Sequence, residues 1–234
     1  MKSSFLAILL SALALLLAMT MTCHAWTIKE TFDNNADDWE AALNQDTLQW
    51  YATGGNPDGY LAKDAPTLHV MAHTTNPAFL GDYANKDITA ISVDILLGSM
   101  TPQVGAKPII IIRKSSSHSP WRYMIDDFNL NELDTWNRFT VPLDKDWTDA
   151  DAIAAGWERA PGPASADATF VETMESVWQV GVRFGEGYYR IDNFTLHRAP
   201  PEMPSKQIGQ EPIQKQEPIQ RMQIFKSPVR IKRQ

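Results

Sequence analysis

A single cysteine occurs in the 234 residues, at position 23, within a stretch predicted to be removed on export. The predicted mature chain therefore has no cysteine, which excludes disulfide bonds and thiol chemistry. The Walker phosphate-binding loop, the His-Glu-x-x-His zinc motif and the Gly-x-Ser-x-Gly nucleophile turn are also absent. The fold must therefore be held by packing alone, which one domain of this size can supply.

The first 25 residues predict a secretory signal peptide. Lys2 supplies the positive charge, an apolar run rich in Leu and Ala extends from Phe5 to Met19, and the stretch ends at Ala25. The apolar run is short for a membrane-spanning helix and polar residues follow it, so no transmembrane anchor is expected. We therefore expect a secreted or periplasmic protein.

The charge is divided between an acidic body and a basic end. Residues 26–198 carry 25 acidic and 13 basic side chains, a net charge of −12, whereas residues 199–234 carry 3 and 7. Nucleic acid is not expected as a partner of so acidic a body. The segment 199–234 is rich in Pro and Gln and has too few apolar residues for a core, which predicts a disordered tail.

Alternating polarity predicts strands throughout the body. In the clearest strand, residues 88–97, Ile91 and Val93 share a face predicted to be buried, while Ser92 and Asp94 share the opposite face. The four isoleucines at 109–112 predict a strand that is buried on both faces. Further strands are predicted at 26–32, 48–51, 60–62, 68–71, 121–125, 136–141, 177–184 and 188–196.

Helical signals are confined to one region of the body. Thr148 or Asp149 is a candidate N-cap for a short helix that ends at Gly156, and residues 170–174 predict a second short helix. Many short strands with turn signals between them predict an all-β fold. We expect a jelly-roll-like β-sandwich over residues 26–198, with a short helical insertion and a disordered C-terminal tail.

Several stretches resemble the laminin B (laminin IV) domain. They are Gly59-Tyr60, Phe79-Leu80-Gly81-Asp82, the strand 91–95 and the ending 189–196, and they occur in the order that this family shows. The ending Ile-Asp-Asn-Phe also closes many jelly-roll carbohydrate-binding modules. The resemblance implies a jelly-roll-like sandwich with a non-catalytic extracellular role.

The resemblance to jelly-roll modules also implies a structural calcium site. Such modules often hold Ca²⁺ where the first and last strands meet, and here that place offers Glu30 and Asp192, with Asp33 nearby. Carboxylate oxygens are ligands that Ca²⁺ prefers. The alternative is that Glu30 is a solvated edge residue and that Asp192 caps a turn.

Aromatic side chains near turns and strand ends are candidates for stacking on the C–H faces of sugars. The six ligand-binding candidates are Trp50, Tyr51, Trp121, Tyr123, Trp147 and Trp157. Trp147 and Trp157 flank the helical insertion and are expected to be the most exposed. The alternative is that the six are core residues, as Trp39, Trp136 and Trp178 are expected to be.

No catalytic residues are predicted. Asp126 and Asp127 fit a turn, and Glu172 and Glu175 fit the solvated face of a helix. The sequence favours a secreted, non-catalytic module that binds an extracellular glycan or matrix component. The alternatives are a protein–protein or surface-assembly module and, third, an enzyme acting on polysaccharide. A groove lined by exposed Trp and Tyr with convergent polar groups favours the first, a flat apolar patch the second, and a cleft with two facing carboxylates the third.

Overall fold

The computed structural model describes residues 27–36, 38–42, 48–64, 69–98, 107–160 and 167–199. The predicted signal peptide and the predicted tail beyond Ala199 lie outside these residues, so both segments and their boundaries stay predictions. No helix in the described ranges is long and apolar enough to cross a membrane.

Two six-stranded antiparallel sheets form the described body. The first sheet has the order β3-β4-β12-β6-β9, with β1 also paired to β12, and the second has the order β10-β8-β7-β11-β5-β2. The strands are β1 Thr27–Glu30, β2 Trp39–Ala41, β3 Leu48–Tyr51, β4 Tyr60–Lys63, β5 Val70–Thr74, β6 Ile88–Leu97, β7 Ile109–Arg113, β8 Trp121–Met124, β9 Asn137–Pro142, β10 Trp157–Arg159, β11 Gln179–Phe184 and β12 Tyr189–Arg198. This architecture confirms the predicted jelly-roll-like β-sandwich.

The core lies between the inner faces of the two sheets. Ile91 and Ile191 of the first sheet and Ile112 and Val180 of the second are all fully buried. They occupy alternate positions of their strands, as the period of two requires. Burying each such side chain contributes roughly 1.5–3 kcal/mol, and the described residues contain no cysteine to add a covalent link.

The central strand β6 departs from its predicted pattern. Ser92 and Asp94 are buried as well as Ile91 and Val93, because polar neighbours cover the outer face of the sheet at this point. Ser92 Oγ lies 2.7 Å from His197 Nε2, and Arg138 donates to Asp94. The prediction of a solvated outer face for β6 was therefore wrong.

Both predicted helices are present, and each starts at a capping box. Helix α1, Asp149–Ala154, is capped by Thr148 with Asp151, and helix α2, Phe170–Met174, is capped by Thr169 with Glu172. In each box the hydroxyl accepts from the third backbone N–H, and the carboxylate accepts from the cap's own N–H. Two short strands that the sequence analysis did not predict, β2 and β10, lie at the two edges of the second sheet.

The Phe79-Leu80-Gly81-Asp82 stretch ties a loop of the sandwich to the start of β11. Phe79 ends a 3₁₀ turn, Pro77–Phe79, and its buried ring lies 5.8 Å from that of Phe194. Gly81 exchanges two backbone hydrogen bonds with Val177, at 2.7 and 2.8 Å. Gly81 has a φ of 94°, in the left-handed region that favours glycine.

We predict that Gly81→Ala lowers the free energy of unfolding by about 1–2 kcal/mol, the cost of holding a side-chain-bearing residue at positive φ. An added Cβ would lie 3.9 Å from its nearest neighbour, so steric crowding does not contribute. Gly98→Ala is the control, since its Cβ would make an ordinary 3.4 Å contact with Tyr188 Cβ at a permitted φ. Urea denaturation measures both, and equal losses in the two variants would contradict the conformational explanation.

Candidate functional site

A groove of about 270 Å³ lies on the outer face of the second sheet. In β11, Val180 and Val182 point into the core, so the alternate residues Gln179 and Arg183 face outward. In β7, Ile110 and Ile112 point into the core, and the alternate residues that face outward are Ile109, Ile111 and Arg113. The described lining residues are Ala42, His69, Met71, Ile109, Ile111, Arg113, Pro120, Arg122, Ala160, Gln179 and Arg183. Aliphatic side chains form the floor, and the polar groups belong to β7, β8 and β11 and to His69, which precedes β5.

The four isoleucines of β7 divide between the core and this groove. Ile110 and Ile112 are core residues, whereas Ile109 and Ile111 line the groove, with Ile111 only 5% exposed. The prediction that this strand is covered on both faces holds for Ile111 and not for half-buried Ile109.

Gln179 and Arg113 place unsatisfied polar atoms in the groove. They are directly opposed in the β7–β11 pair. Gln179 is 5% exposed, and among the described residues its Oε1 has no hydrogen-bond donor and Arg113 Nε has no acceptor. A buried polar atom without a partner costs about 1–3 kcal/mol, and such atoms are candidates for ligand contact. The residues that carry this acceptor and this donor are neighbours across the strand pair.

The groove is basic, although the body is acidic. Arg113 and Arg183 form no ion pair with any described carboxylate, whereas Arg122 Nε lies 2.9 Å from Glu158 Oε1. No Asp or Glu belongs to the described lining. Burial lowers the pKa of the Arg113 guanidinium from its usual value. The groove thus presents positive charge that the described residues do not neutralise.

Trp121 and Trp157 are core residues, so the prediction that they offer platforms to a sugar is wrong. They are 1% and 0% exposed, and both pack against the buried ring of Phe170. Each indole N–H is satisfied inside the protein, by Ala168 O and Pro142 O respectively. The helical insertion covers them, because α2 places Phe170 over both rings.

Tyr123 and Trp147 are half-buried around the same aromatic cluster. The Tyr123 ring packs edge-on against Trp157 at 5.5 Å, and the Trp147 ring lies 6.0 Å from Phe170. Tyr123 also lines a second cavity, of about 240 Å³, together with Asp126 and Asp127. These two carboxylates leave the same exposed turn, and Asp126 lies 3.6 Å from Lys107 Nζ. Glu172, assigned with Glu175 to the solvated face of a helix, takes part in the capping box of α2.

Trp50 and Tyr51 are exposed at the edge of the first sheet, by 39% and 37%. Trp50 Nε1 donates to Phe32 O at 2.7 Å, and the Tyr51 ring stacks on Tyr60 at 4.9 Å. The Tyr51 hydroxyl donates to Asp64. The structure therefore brings these two candidates together, but on the other sheet from the groove.

Of the three tryptophans expected in the core, Trp39 is a core residue, whereas Trp136 and Trp178 are not. Trp39 is 7% exposed and is a core residue, as predicted, and Trp136 is half-buried. Trp178 is 50% exposed, so its assignment to the core was wrong. It directly precedes Gln179, and its backbone N–H donates to Arg113 O, which places its backbone at one end of the groove.

A buried carboxylate pair lies beneath the turn at Asn56. Asp94 and Asp192 are register partners on β6 and β12, at 2% and 0% exposure. Arg138 and the side-chain amides of Asn56 and Asn193 donate to Asp94. Asp192 accepts from the backbone N–H of Asn56 and of Asn193, both at 2.6 Å. The cluster joins the 54–59 turn to the centre of the first sheet.

Within this cluster, the carboxyl group of Asp192 has a raised pKa. Burial raises the pKa of its carboxyl to about 6, although the two backbone N–H donors oppose the shift. The neighbouring Asp94 and Asp33 carboxylates raise it further. Asn193, the next residue, has a φ of 52° at the β-bulge that interrupts the β6–β12 register. The alternative stated for Asp192, that it caps a turn, matches the hydrogen bond it accepts from the backbone N–H of Asn56.

The other two predicted calcium ligands make local hydrogen bonds. Glu30 Oε1 accepts from Phe32 N at 3.0 Å, and Asp33 Oδ2 accepts from Thr31 Oγ1 at 2.7 Å. Strands β1 and β12 do pair, with Glu30 opposite Phe194, as the prediction required. Among the described residues, no group of three or more His, Cys, Asp or Glu is placed to hold a metal ion. The calcium site stays a prediction.

The polar lining of the groove was missed by sequence reasoning. Gln179, Gly181 and Arg183 alternate with Val180 and Val182, and this period of two was a signal for an outward polar row. Arg113 is only the last residue of an apolar run, so the sequence contained no signal for its place in a polar lining. Its position opposite Gln179 depends on a strand register between segments far apart in the chain.

Comparison with known proteins finds similarity in structure alone. No protein-family model matches the sequence, and no curated protein matches it. The family 11 carbohydrate-binding module of the cellulase Lic26A-Cel5E of Clostridium thermocellum superposes with a TM-score of 0.49 and 13% identity, covering 75% of this chain and 96% of that one. The C-terminal family 22 carbohydrate-binding module of Clostridium thermocellum Xyn10B gives 0.44 and 11%, covering 78% and 98%.

The L4b domain of human laminin alpha-2 is also similar, with a TM-score of 0.38 and 10% identity over 74% of this chain and 98% of that one. These likenesses concern the fold and carry no information about a ligand of this chain. The laminin B resemblance in sequence stays a prediction, because no family model matches.

We predict that Asp192→Asn gains stability relative to the wild type as pH rises from about 4 to about 6. A carboxyl whose folded pKa is raised stabilises the folded state below its unfolded pKa, and that contribution is lost as pH rises through the folded pKa. A shift from 3.8 to about 6 corresponds to roughly 3 kcal/mol at most. Urea denaturation at several pH values measures the difference, with Asp126→Asn as control. A difference that does not change with pH would contradict the raised pKa.

The calcium prediction has a separate test by thermal denaturation. If Glu30, Asp33 and Asp192 hold Ca²⁺, the ion raises the melting temperature of the wild type. At a free ion concentration ~100 times the dissociation constant, the free energy of unfolding increases by about 2.7 kcal/mol. Asp192→Ala then melts lower and loses the response to Ca²⁺, while Asp126→Ala keeps it. Superimposable wild-type melts in Ca²⁺ and in chelator would rule the site out.

Proposed function

We propose that this protein is a secreted, non-catalytic saccharide-binding module whose site is the groove on the outer face of the second sheet. One observation carries the proposal: Gln179 and Arg113, whose Oε1 acceptor and Nε donor have no partner among the described residues, are opposed on neighbouring strands in a concave site. A sugar hydroxyl both donates and accepts, so a single hydroxyl satisfies both atoms. A carbonyl or carboxylate oxygen satisfies the arginine alone.

The floor of the groove supports the same proposal. Ile109, Ile111 and Met71 present apolar surface, which complements the C–H faces of a pyranose ring. Aromatic stacking is not part of this site, because the described lining contains no Trp, Tyr or Phe. Trp178, half-exposed beside Gln179, is the nearest aromatic residue along the chain.

A non-catalytic role accords with the contacts of the carboxylates. Asp94 and Asp192 are buried under Arg138 and the Asn56 turn, Glu172 caps a helix, and the groove has no carboxylate in its described lining. Hydrolysis of a glycosidic bond requires a general acid and a second carboxylate on either side of that bond.

The second candidate function is a protein–protein or surface-assembly module. It is favoured by β3, an edge strand of the first sheet that carries the exposed Trp50 and Tyr51. Unpaired edges are templates for pairing with another chain. The two functions place the binding surface on different sheets, and variants therefore separate them.

We predict that Gln179→Ala weakens saccharide binding by about 5- to 10-fold, the value of one hydrogen bond of ~1 kcal/mol or slightly more. Isothermal titration against xylohexaose, cellohexaose, mannohexaose and hexagalacturonate supplies the measurement. Gln179 Oε1 has no partner among the described residues, so its loss breaks no described hydrogen bond, and the melting temperature of the variant verifies that the fold is kept.

Gln49→Ala, on exposed β3 of the first sheet, is the matched control and should bind as the wild type does. Binding that is lost on Gln49→Ala or Tyr51→Ala and kept on Gln179→Ala would move the site to the first sheet. Absence of binding to every saccharide would contradict the proposed function.

A further inference from the structure

The charge of the groove indicates which chemical class of saccharide it binds. The body as a whole carries −12, yet the groove lining includes three arginines and, among its described residues, no carboxylate. Arg113 and Arg183 lack a described ion-pair partner, and only Arg122 is neutralised, by Glu158. Guanidinium groups bind carboxylate, sulfate and phosphate oxygens in paired hydrogen bonds, which neutral sugars do not offer.

The spacing of the two unpaired arginines indicates an extended ligand. Arg113 lies opposite Gln179, and Arg183 lies opposite Ile109, so the two are four residues apart along the β7–β11 pair. At about 3.4 Å per residue, they are separated by roughly 13 Å along the groove. Arg122, opposite Ile111 on β8, lies level with the middle of this interval. One small anion does not span that distance, whereas an oligomer with repeated charges does.

The carboxylates near the groove lie beside other residues than Arg113 and Arg183, so these two arginines are available to a ligand. Glu158 is engaged by Arg122, and Glu40 lies opposite His73 in the β2–β5 pair. Burial lowers the pKa of His73, and the charge of Arg113 lowers it further, against the opposing effect of Glu40. Arg183 is exposed and lies at the other end of the groove from Gln179.

We propose that the groove binds an anionic oligosaccharide, one that carries carboxylate or sulfate groups along its length, with Arg113 and Arg183 each contacting a charged group. This rests on the proposed saccharide-binding function and adds the chemical class of the ligand. Gln179 and the aliphatic floor bind the sugar itself, and the arginines select its charge. The −12 of the body gives no general attraction for anions, so the selectivity depends on these side chains.

The experiment compares ligands that differ in charge alone. Hexagalacturonate and its methyl ester share one sugar backbone, and a sulfated galactan oligosaccharide and its desulfated form make a second pair. Titration of the full chain should show at least tenfold tighter binding of the charged member of one pair, as charge-assisted hydrogen bonds predict. The pair that shows the difference distinguishes carboxylate from sulfate.

Arg183→Gln should reduce binding of the preferred charged ligand at least fivefold and change binding of its neutral counterpart by less than twofold. Arg113→Gln also removes the Nε donor proposed to contact a sugar hydroxyl, so it should weaken binding of both members of the pair, and of the charged member more. Arg190→Gln, on the first sheet, makes the same change of charge and should bind as the wild type does; its guanidinium lies over the Tyr60 ring. Arg183 is exposed, so folding of that variant is not at risk, and circular dichroism melting verifies both.

The outcomes separate this inference from the function on which it rests. Equal affinity for the charged and neutral members of both pairs would overturn the charge selectivity and leave saccharide binding in place. Charge selectivity that survives in both arginine variants would overturn the assignment to Arg113 and Arg183. Absence of binding to all four ligands and to the neutral hexaoses would overturn the proposed function and this inference with it.

Discussion

The pairing of β6 with β12 is the interaction on which the rest of the structure depends. Strand β12 pairs with β6 along one edge, and its other edge pairs with β4 and then with β1. With no cysteine in the described residues, these hydrogen bonds and the core beneath them hold the first sheet together. The Asp94–Asp192 pair lies at the centre of this contact, where Arg138 and the Asn56 turn supply the compensating donors. A buried carboxylate pair without such donors would be strongly destabilising.

The groove on the second sheet also depends on buried polar groups and on whether the protein supplies their hydrogen-bond partners. Its inner face is committed to the core by Ile110, Ile112, Val180 and Val182, so the alternate residues must face outward. On most outer faces such residues are satisfied by water or by neighbours. Here Gln179 Oε1 and Arg113 Nε are covered from solvent and have no hydrogen-bond partner among the described residues. This combination of concavity, apolar floor and unsatisfied atoms distinguishes the groove from the edge of the first sheet, where Trp50 and Tyr51 already have partners for their polar atoms.

Local sequence patterns predicted the strands and helices, whereas the pairing register of the strands determines which residues meet in the groove. Strand β6 and helix α2 occur at the predicted residues, because each is encoded by periodicity or by a cap within a few positions. Trp121 and Trp157 were misassigned for a different reason: their burial depends on Phe170, which reaches them only after the chain has formed α2. The Arg113–Gln179 juxtaposition likewise depends on the pairing of β7 with β11, which no local signal encodes.

Saccharide binding on the outer face of the second sheet is tested most directly by a two-dimensional amide NMR titration of the isotope-labelled protein with hexagalacturonate. We expect the largest shift changes on the backbone amides of Ile111, Arg113, Gln179 and Arg183. Changes concentrated at Trp50, Tyr51 and Tyr60 of the first sheet, with the β7 and β11 amides unmoved, would contradict it.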